Sequence, residues 1–412
     1  MINQEVIDQH AEEAAFLWTQ RDHATTAPQY ALKDLAKLDE RVEAHADGLR
    51  VARDAGWTTA LANLAEGPGE VFAASVLAFE SGDAERVGAA LGVGCAASRL
   101  ERGLISALGW IEQDVAMREA RKLLESPESE VRRAGIAGMA VHRVDPGPPL
   151  AAAIEDPDPR LAARAMRAVA ELGRRDLLPE VLARLADTDA NSKFWAAWSA
   201  VRLGERHASN AMAVLIAETE MSGPSATRAL DMALRVMTVE NGHALRRELA
   251  RQPATSRLAV IAAGIIGDPA AVPELIAQME NPELARAAGR SFSMITGADF
   301  GYEDLEGDAP HSKDSDEGET LLFGPDADLP WPLPAAIHKW WTRRTAGYVA
   351  GVRYLLSKPM IEQSLLEALV KGRQNQRAAA ALELAVRNPS QMLFETRERA
   401  QRQQKKVTAW SS

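Results

Sequence analysis

A single cysteine, Cys95, stands in 412 residues. It excludes an intrachain disulfide framework and any cluster of cysteine ligands, and it suits a reducing compartment. Aromatic residues reach only 5% and runs of β-branched residues are scarce, while Ala and Leu abound, so the composition favours helix over strand. No apolar stretch approaches the roughly 20 residues that cross a bilayer, which argues against membrane insertion. The start, Met1-Ile2-Asn3-Gln4-Glu5-Val6, has neither the basic residues nor the apolar run of a secretory signal. Together these absences predict a cytoplasmic location.

Catalytic constellations are missing as well. The eight histidines, His10, His23, His45, His142, His207, His243, His311 and His338, include no pair spaced by three to five residues and no His-Glu dipeptide. The di-iron centre of deoxyhypusine hydroxylases, an enzymatic class of HEAT-repeat protein, uses such pairs. A glycine-rich phosphate loop with a following Lys-Ser/Thr is absent, and so is Gly-x-Ser-x-Gly. Cys95, between Gly94 and Ala96, reads as a small packed residue. The expectation is no catalytic residue, no metal site and no cofactor.

The net charge of −11 is local. Between Asp299 and Asp328 lie eleven acids and one base, Lys313, so the rest of the chain is close to neutral. A balanced body lacks the Lys/Arg surplus that drives nonspecific nucleic-acid binding, and nucleic acid is not expected as a partner. Asp314-Ser315-Asp316-Glu317-Gly318-Glu319 has the look of a calcium loop but lacks the third oxygen ligand and the terminal Glu. Asp314, Asp316, Glu317 and Glu319 are instead candidates for docking a basic partner.

What the chain does have is periodicity. Leu172-Gly173-Arg174-Arg175-Asp176-Leu177-Leu178-Pro179-Glu180-Val181-Leu182 and Ile266-Gly267-Asp268-Pro269-Ala270-Ala271-Val272-Pro273-Glu274-Leu275-Ile276 share one pattern: apolar-Gly, five residues, Pro-Glu and two apolar residues. Leu203-Gly204 begins a weaker copy, so the glycines are separated by 31 and then 63 residues. Prolines at 127, 157, 224, 253 and 282 open the units, and Ala-rich helices such as 162–169 and 258–263 lie between. Gly relieves the strain of a left-handed helix cap, Pro sits where an N–H has no helical partner, and Ala lets helices approach closely. One such unit cannot bury both apolar faces alone, so units must stack.

The pattern resembles short HEAT-like repeats of about 30 residues, as in phycobiliprotein lyases. It predicts an all-α chain: an α-solenoid over 67–298, extended back through Gly109 and Gly82, behind an N-terminal helical cap over 1–66. The cap is read as two helices, one over Val6–Trp18 and one with Leu32, Leu35, Leu38, Val42, Ala46 and Leu49 on a single face. An acidic and Pro-rich loop over 299–334 and C-terminal helices with a basic tail over 335–412 complete the expectation. A loop implies that deleting 299–328 leaves thermal stability nearly unchanged.

Nine Trp against four Tyr is an unusual ratio. Trp195 and Trp198 occupy a first-helix position that is Ala-rich in other units, where they either fill a wider core or form an aromatic anchor. Trp340 and Trp341 point about 100° apart on a helix, so both are core only if that helix is buried on two sides. Trp195, Trp198, Trp331, Trp340 and Trp341 are therefore candidate partner-binding residues. Arg132, Arg133, Arg160, Arg164, Arg167, Arg174 and Arg175 could line a DNA cleft like that of the HEAT-like alkylpurine DNA glycosylases, although they alternate with acids.

Several segments resemble one family over almost the whole chain. They are His10-Ala11-Glu12-Glu13-Ala14-Ala15-Phe16-Leu17-Trp18, Asp34 to Arg50, Ser291-Phe292-Ser293-Met294-Ile295-Thr296-Gly297, Trp340-Trp341 with Gly351-Val352-Arg353-Tyr354-Leu355, and Gln376 to Ala385. The family is one of bacterial HEAT-like proteins encoded near type VI secretion genes. The resemblance implies cytoplasmic proteins of Gram-negative bacteria that work with the secretion spike or its cargo, and it supplies no catalytic residues. The expected function is a noncatalytic scaffold, an adaptor or chaperone for a secretion spike component or effector. The alternatives are a HEAT-like DNA glycosylase and a self-associating structural solenoid; the sequence leaves the oligomeric state open.

Overall fold

The computed structural model describes residues 3–205, 209–220, 225–309 and 326–411. Contacts divide the chain into two units, one of Met1–Leu203 with Asn388–Ser412, the other of Gly204–Arg387. The first unit opens with α1 (Gln4–Ala24), α2 (Leu32–Ala52) and α3 (Asp54–Asn63). The cap thus has three helices where two were expected, because Arg53 turns to a φ of 53° and separates α2 from α3.

Helices then alternate: α4 (Pro68–Ser81), α5 (Ala84–Gly94), α6 (Ser98–Trp110), α7 (Gln113–Leu124), α8 (Ser129–Val141), α9 (Pro148–Ile154), α10 (Pro159–Leu172), α11 (Leu178–Ala183) and α12 (Ala190–Arg202). One layer runs α1, α4, α6, α8, α10, α12, each packed on the next, while α5, α7, α9 and α11 form the second layer. Small residues permit the close stacking. A Cβ on Gly103 would lie 2.1 Å from the Pro68 carbonyl oxygen. Ala162, Ala165, Ala168 and Ala170 of α10 are fully enclosed.

The acidic turns have a local cause. Asp158 caps α10 by accepting from the Arg160 N–H at 2.8 Å, and Asp189 caps α12 through the Ser192 N–H at 2.7 Å. Such carboxylates satisfy N–H groups that have no helical partner and face the positive end of the helix dipole. Gly173, Gly204 and Gly267 all have positive φ, as the repeat reading requires. Gly82 also caps its helix in the left-handed region, whereas Gly109 lies inside α6, which runs on to Trp110.

His142, just past α8, is buried with its Nε2 2.8 Å from the Leu108 carbonyl oxygen. Burial pushes its pKa down to about 4 from 6.5. The unfolded chain therefore takes up this proton first as pH falls, so the His142 contribution to stability drops between about pH 6.5 and 4 and is constant below. His142→Phe should flatten that stretch of a Tm-against-pH curve.

The second unit contains α13 (Ser209–Glu220), α14 (Ala226–Val236), α15 (Val239–Leu249), α16 (Ser256–Ile266), α17 (Val272–Gln278) and α18 (Ala285–Thr296). Here α13, α14, α16 and α18 stack in order, with α15 on α16 and α17 on α18. Beyond α18 the strand β1 (Glu306–Gly307) pairs antiparallel with β2 (Trp331–Pro332). The chain continues through α19 (Pro334–Thr342), a hairpin of β3 (Tyr354–Leu355) and β4 (Lys358–Pro359), α20 (Glu362–Lys371) and α21 (Gln374–Arg387). A final helix, α22 (Ala400–Ser411), belongs to the first unit. The 335–412 stretch, expected as one segment, is thus shared between the units.

The described ends of the acidic segment are packed rather than loose. Phe300 and Leu305 are buried in the core around Phe292, and Asp326 makes two bonds to Arg257 at 2.6 and 2.7 Å. The expected indifference of stability to deleting 299–328 is reversed on this account. Leu305→Ala should cost about 2–5 kcal/mol by denaturant titration, the usual cost of emptying a core leucine site. Exposed Asp304→Asn should change the midpoint little.

Candidate functional site

The tryptophans divide by environment. Trp195 and Trp198 are 9% and 6% exposed, with ring centroids 5.5 Å apart, Phe194 edge-on at 5.2 Å from Trp195 and Arg167 5.0 Å above it. They fill core space, which corrects their reading as surface anchors. Trp341 is also buried, against Phe292 and Tyr348. Trp340 is half-buried; its Nε1 donates to Glu303 at 2.8 Å and Arg344 covers its ring at 4.1 Å. Trp331, half-buried in β2, lies under Arg286 at 5.5 Å. Asp314, Asp316, Glu317 and Glu319 lie outside the described residues.

Of the seven arginines read as a stripe, six take carboxylate partners. Arg132 meets Asp156, Arg133 and Arg160 meet Glu101, Arg164 and Arg167 meet Glu171, and Arg174 meets Asp145 and Asp176. His10 and His45, 35 residues apart, bring their Nδ1 atoms to 3.2 Å. Burial and then His10 lower the His45 pKa. Among the described residues no cluster of His, Cys, Asp and Glu is arranged to hold a metal ion.

The feature that sequence reasoning missed is the return of the chain to the first unit. Residues 388–399 form no helix and run across the C-terminal ends of α12, α10 and α8 in that order before reaching α1 and the end of α6. Arg202, the last residue of α12, donates to the Pro389 carbonyl at 3.1 Å and to that of Gln391. The Leu393 N–H donates to the Glu171 carbonyl at the end of α10, at 2.8 Å. Arg143, beyond α8, donates to the Leu393 carbonyl at 2.5 Å, and Arg21 of α1 to those of Arg397 and Glu398 at 2.7 and 3.0 Å. Arg402 of α22 donates to the Gly109 and Ile111 carbonyls at the end of α6, at 2.8 and 2.6 Å. Helix C-termini offer carbonyls without helical partners, and cations there are also favoured by the dipole.

These contacts address the backbone of the strap more than its side chains. Gly173 shows the fit most directly, since a Cβ there would lie 2.7 Å from the Ser390 carbonyl oxygen. The exception is Glu395, which is buried and accepts from Arg143 at 3.2 Å and Arg397 at 2.8 and 2.9 Å. Burial opposes its ionisation, but the two guanidinium groups hold its pKa well below the usual carboxylate range. Glu171 is likewise held to about 2 against its burial by Arg164, Arg167 and Arg143. Arg202 has no carboxylate partner among the described residues, its hydrogen bonds going to carbonyls, and burial followed by repulsion from Arg143 pushes its pKa down to about 10.

Residues 147–231, from α9 into α14, match the family described as HEAT repeats. No curated protein matches the chain. With its alternating layers, the chain is an all-α solenoid built from HEAT-like repeats, a class that commonly mediates protein–protein interaction. No helix among the described residues is long and apolar enough to cross a membrane.

Proposed function

We propose that this chain is a noncatalytic protein-binding scaffold of the bacterial cytoplasm, acting as adaptor or chaperone for a type VI secretion spike component or effector. The observation that carries the binding reading is the seated strap: repeat ends already hold an extended polypeptide by arginine-to-carbonyl bonds. Such contacts suit a surface that accepts main chain of varied sequence. The secretion assignment rests on the resemblance of the segments around Trp18, Asp34–Arg50, Met294 and Trp340-Trp341. Pairing of the Arg132–Arg174 set with carboxylates supports protein over DNA, because a phosphate backbone would have to compete with Glu101, Glu171 and Asp156 for them.

Co-purification from the native cytoplasm, followed by identification of bound proteins, tests the reading. Recovery of secretion spike proteins or an effector supports it. Recovery of only unrelated abundant proteins under stringent washing overturns it.

A further inference from the structure

The strap is unevenly held. From Asn388 to Phe394 no side chain is buried, and Asn388, Ser390, Gln391 and Met392 are exposed; from Glu395 to Ala400 burial is frequent, and the Ala400 N–H donates to Asp39 at 2.5 Å. Under the lightly held half lies an excess of positive charge. Arg143, Arg164 and Arg167, together with Arg397 of the anchored half, divide two carboxylates, Glu171 and Glu395; Arg202 pairs with no carboxylate among the described residues, and the nearby Asp22 is taken by Arg102. The Arg202 side chain is fully enclosed, and Nε of Arg202 and Nη1 of Arg164 are buried without a hydrogen-bond partner among the described residues. Arg143 reaches the strap from a left-handed φ of 58°, a conformation that a non-glycine residue rarely adopts and that occurs at ligand clamps.

Buried charges call for counter-charge, and main-chain carbonyls supply only partial compensation. A carboxylate on Arg202 would form a charge-assisted, two-pronged pair in place of two neutral acceptors. The slot itself is fitted to polypeptide, because Gly173 leaves room for main chain at Ser390. Resting on the protein-binding reading, we propose that Asn388–Phe394 is a displaceable internal occupant of this groove, and that the external ligand is an extended acidic segment of a protein partner. Its carboxylates pair with Arg202 and Arg164, while Glu395–Ala400 stays anchored and keeps the released strap close.

An attached occupant competes at high effective concentration, so the intact chain binds the external segment weakly until the strap is loosened. The probe is a fluorescent synthetic peptide of residues 386–398 carrying Pro389→Glu, at the half-buried strap position whose carbonyl Arg202 holds, with the unchanged sequence as its control. Both are titrated by anisotropy against the full chain and against a full-chain L393G/F394G variant whose thermal transition shows it to be folded. The acidic peptide should bind the loosened variant about tenfold or more tighter than it binds the wild type, and tighter than the control by a similar factor. Arg202→Gln in the loosened background should bring the two peptides to parity. Failure of the loosened variant to bind either peptide overturns the proposal, as does equal binding of both; neither outcome needs the Arg202 variant to fold. Displacement of the peptide by a twelve-nucleotide single-stranded DNA at equal concentration also overturns it, by making the groove a general polyanion site. Native partners that persist on Arg202→Gln protein would remove the groove and leave the scaffold reading intact. If no partner co-purifies, the scaffold reading falls while the peptide titration still decides the groove.

Discussion

Glu383→Gln should destabilise the second unit by about 3 kcal/mol, read as a shift in denaturant midpoint together with lost hydrogen-exchange protection in α14 and α21. Glu383 is a buried hub on α21. It accepts from Arg235 at 3.1 Å, from Arg353 twice at 3.1 Å, and from Arg387 at 3.1 and 2.8 Å. Removing one member of a buried ionic network costs about 3–5 kcal/mol because the remaining charge stays buried without compensation. The lower figure applies because Arg235 keeps Asp231 at 2.6 Å and Arg353 keeps the Ile266 carbonyl at 3.1 Å. Against a total stability of about 5–15 kcal/mol the loss is large. Glu367, which pairs with Lys358 and Lys371 on the surface, is the control, and Glu367→Gln should leave the midpoint in place.

The same hub sets acid sensitivity. Burial disfavours the Glu383 carboxylate, but Arg235, Arg353 and Arg387 overcome it and hold its pKa below the ordinary 4.5. A depressed carboxylate contributes stability that is complete above its unfolded pKa and disappears as pH falls through its folded one. For Glu383 this loss sets in as pH falls below about 4.5, largely beneath the window assigned to His142, and Glu171 of the first unit, held to about 2, loses its own share between about pH 4.5 and 2. Glu383→Gln should start less stable and lose less on acidification, which a set of Tm values across both windows would show.

The repeats were legible because they are written in side-chain chemistry. Gly173, Gly204 and Gly267 need positive φ, and the Ala rows of α10 and α16 need close neighbours; both leave a fixed spacing in the sequence. The strap left no such mark. Its bonds over 388–394 run from Arg202 and Arg143 to carbonyls that any sequence carries, so this stretch shows no preference beyond the absence of a helical pattern. The basic tail was visible, but Arg397 and Arg402 proved to be holding Glu395 and the α6 carbonyls. Trp195 and Trp198 were ambiguous for a related reason: a large ring at an Ala position fits either a wide core or an exposed patch. Only the positions of Phe194 and Arg167 decide for the core.

Glu395→Gln should cost the first unit about 3–5 kcal/mol, whereas Gln391→Ala and Met392→Ala, only three or four residues earlier on the same strap, should each stay within about 0.5 kcal/mol. Glu395 is the one strap carboxylate shared by Arg143 and Arg397, and its loss leaves the nearly enclosed Arg143 with carbonyl acceptors alone. Gln391 and Met392 expose their side chains, and the bonds near them use main chain that an alanine retains. A strap held evenly along its length would instead show intermediate losses at all three positions. The asymmetry separates an anchor, which is part of the folded unit, from a stretch that can leave without unfolding it. Native-state hydrogen exchange gives the matching readout: the N–H of Leu393, bonded to Glu171, should exchange by local opening, whereas that of Ala400, bonded to Asp39, should require unfolding of the unit.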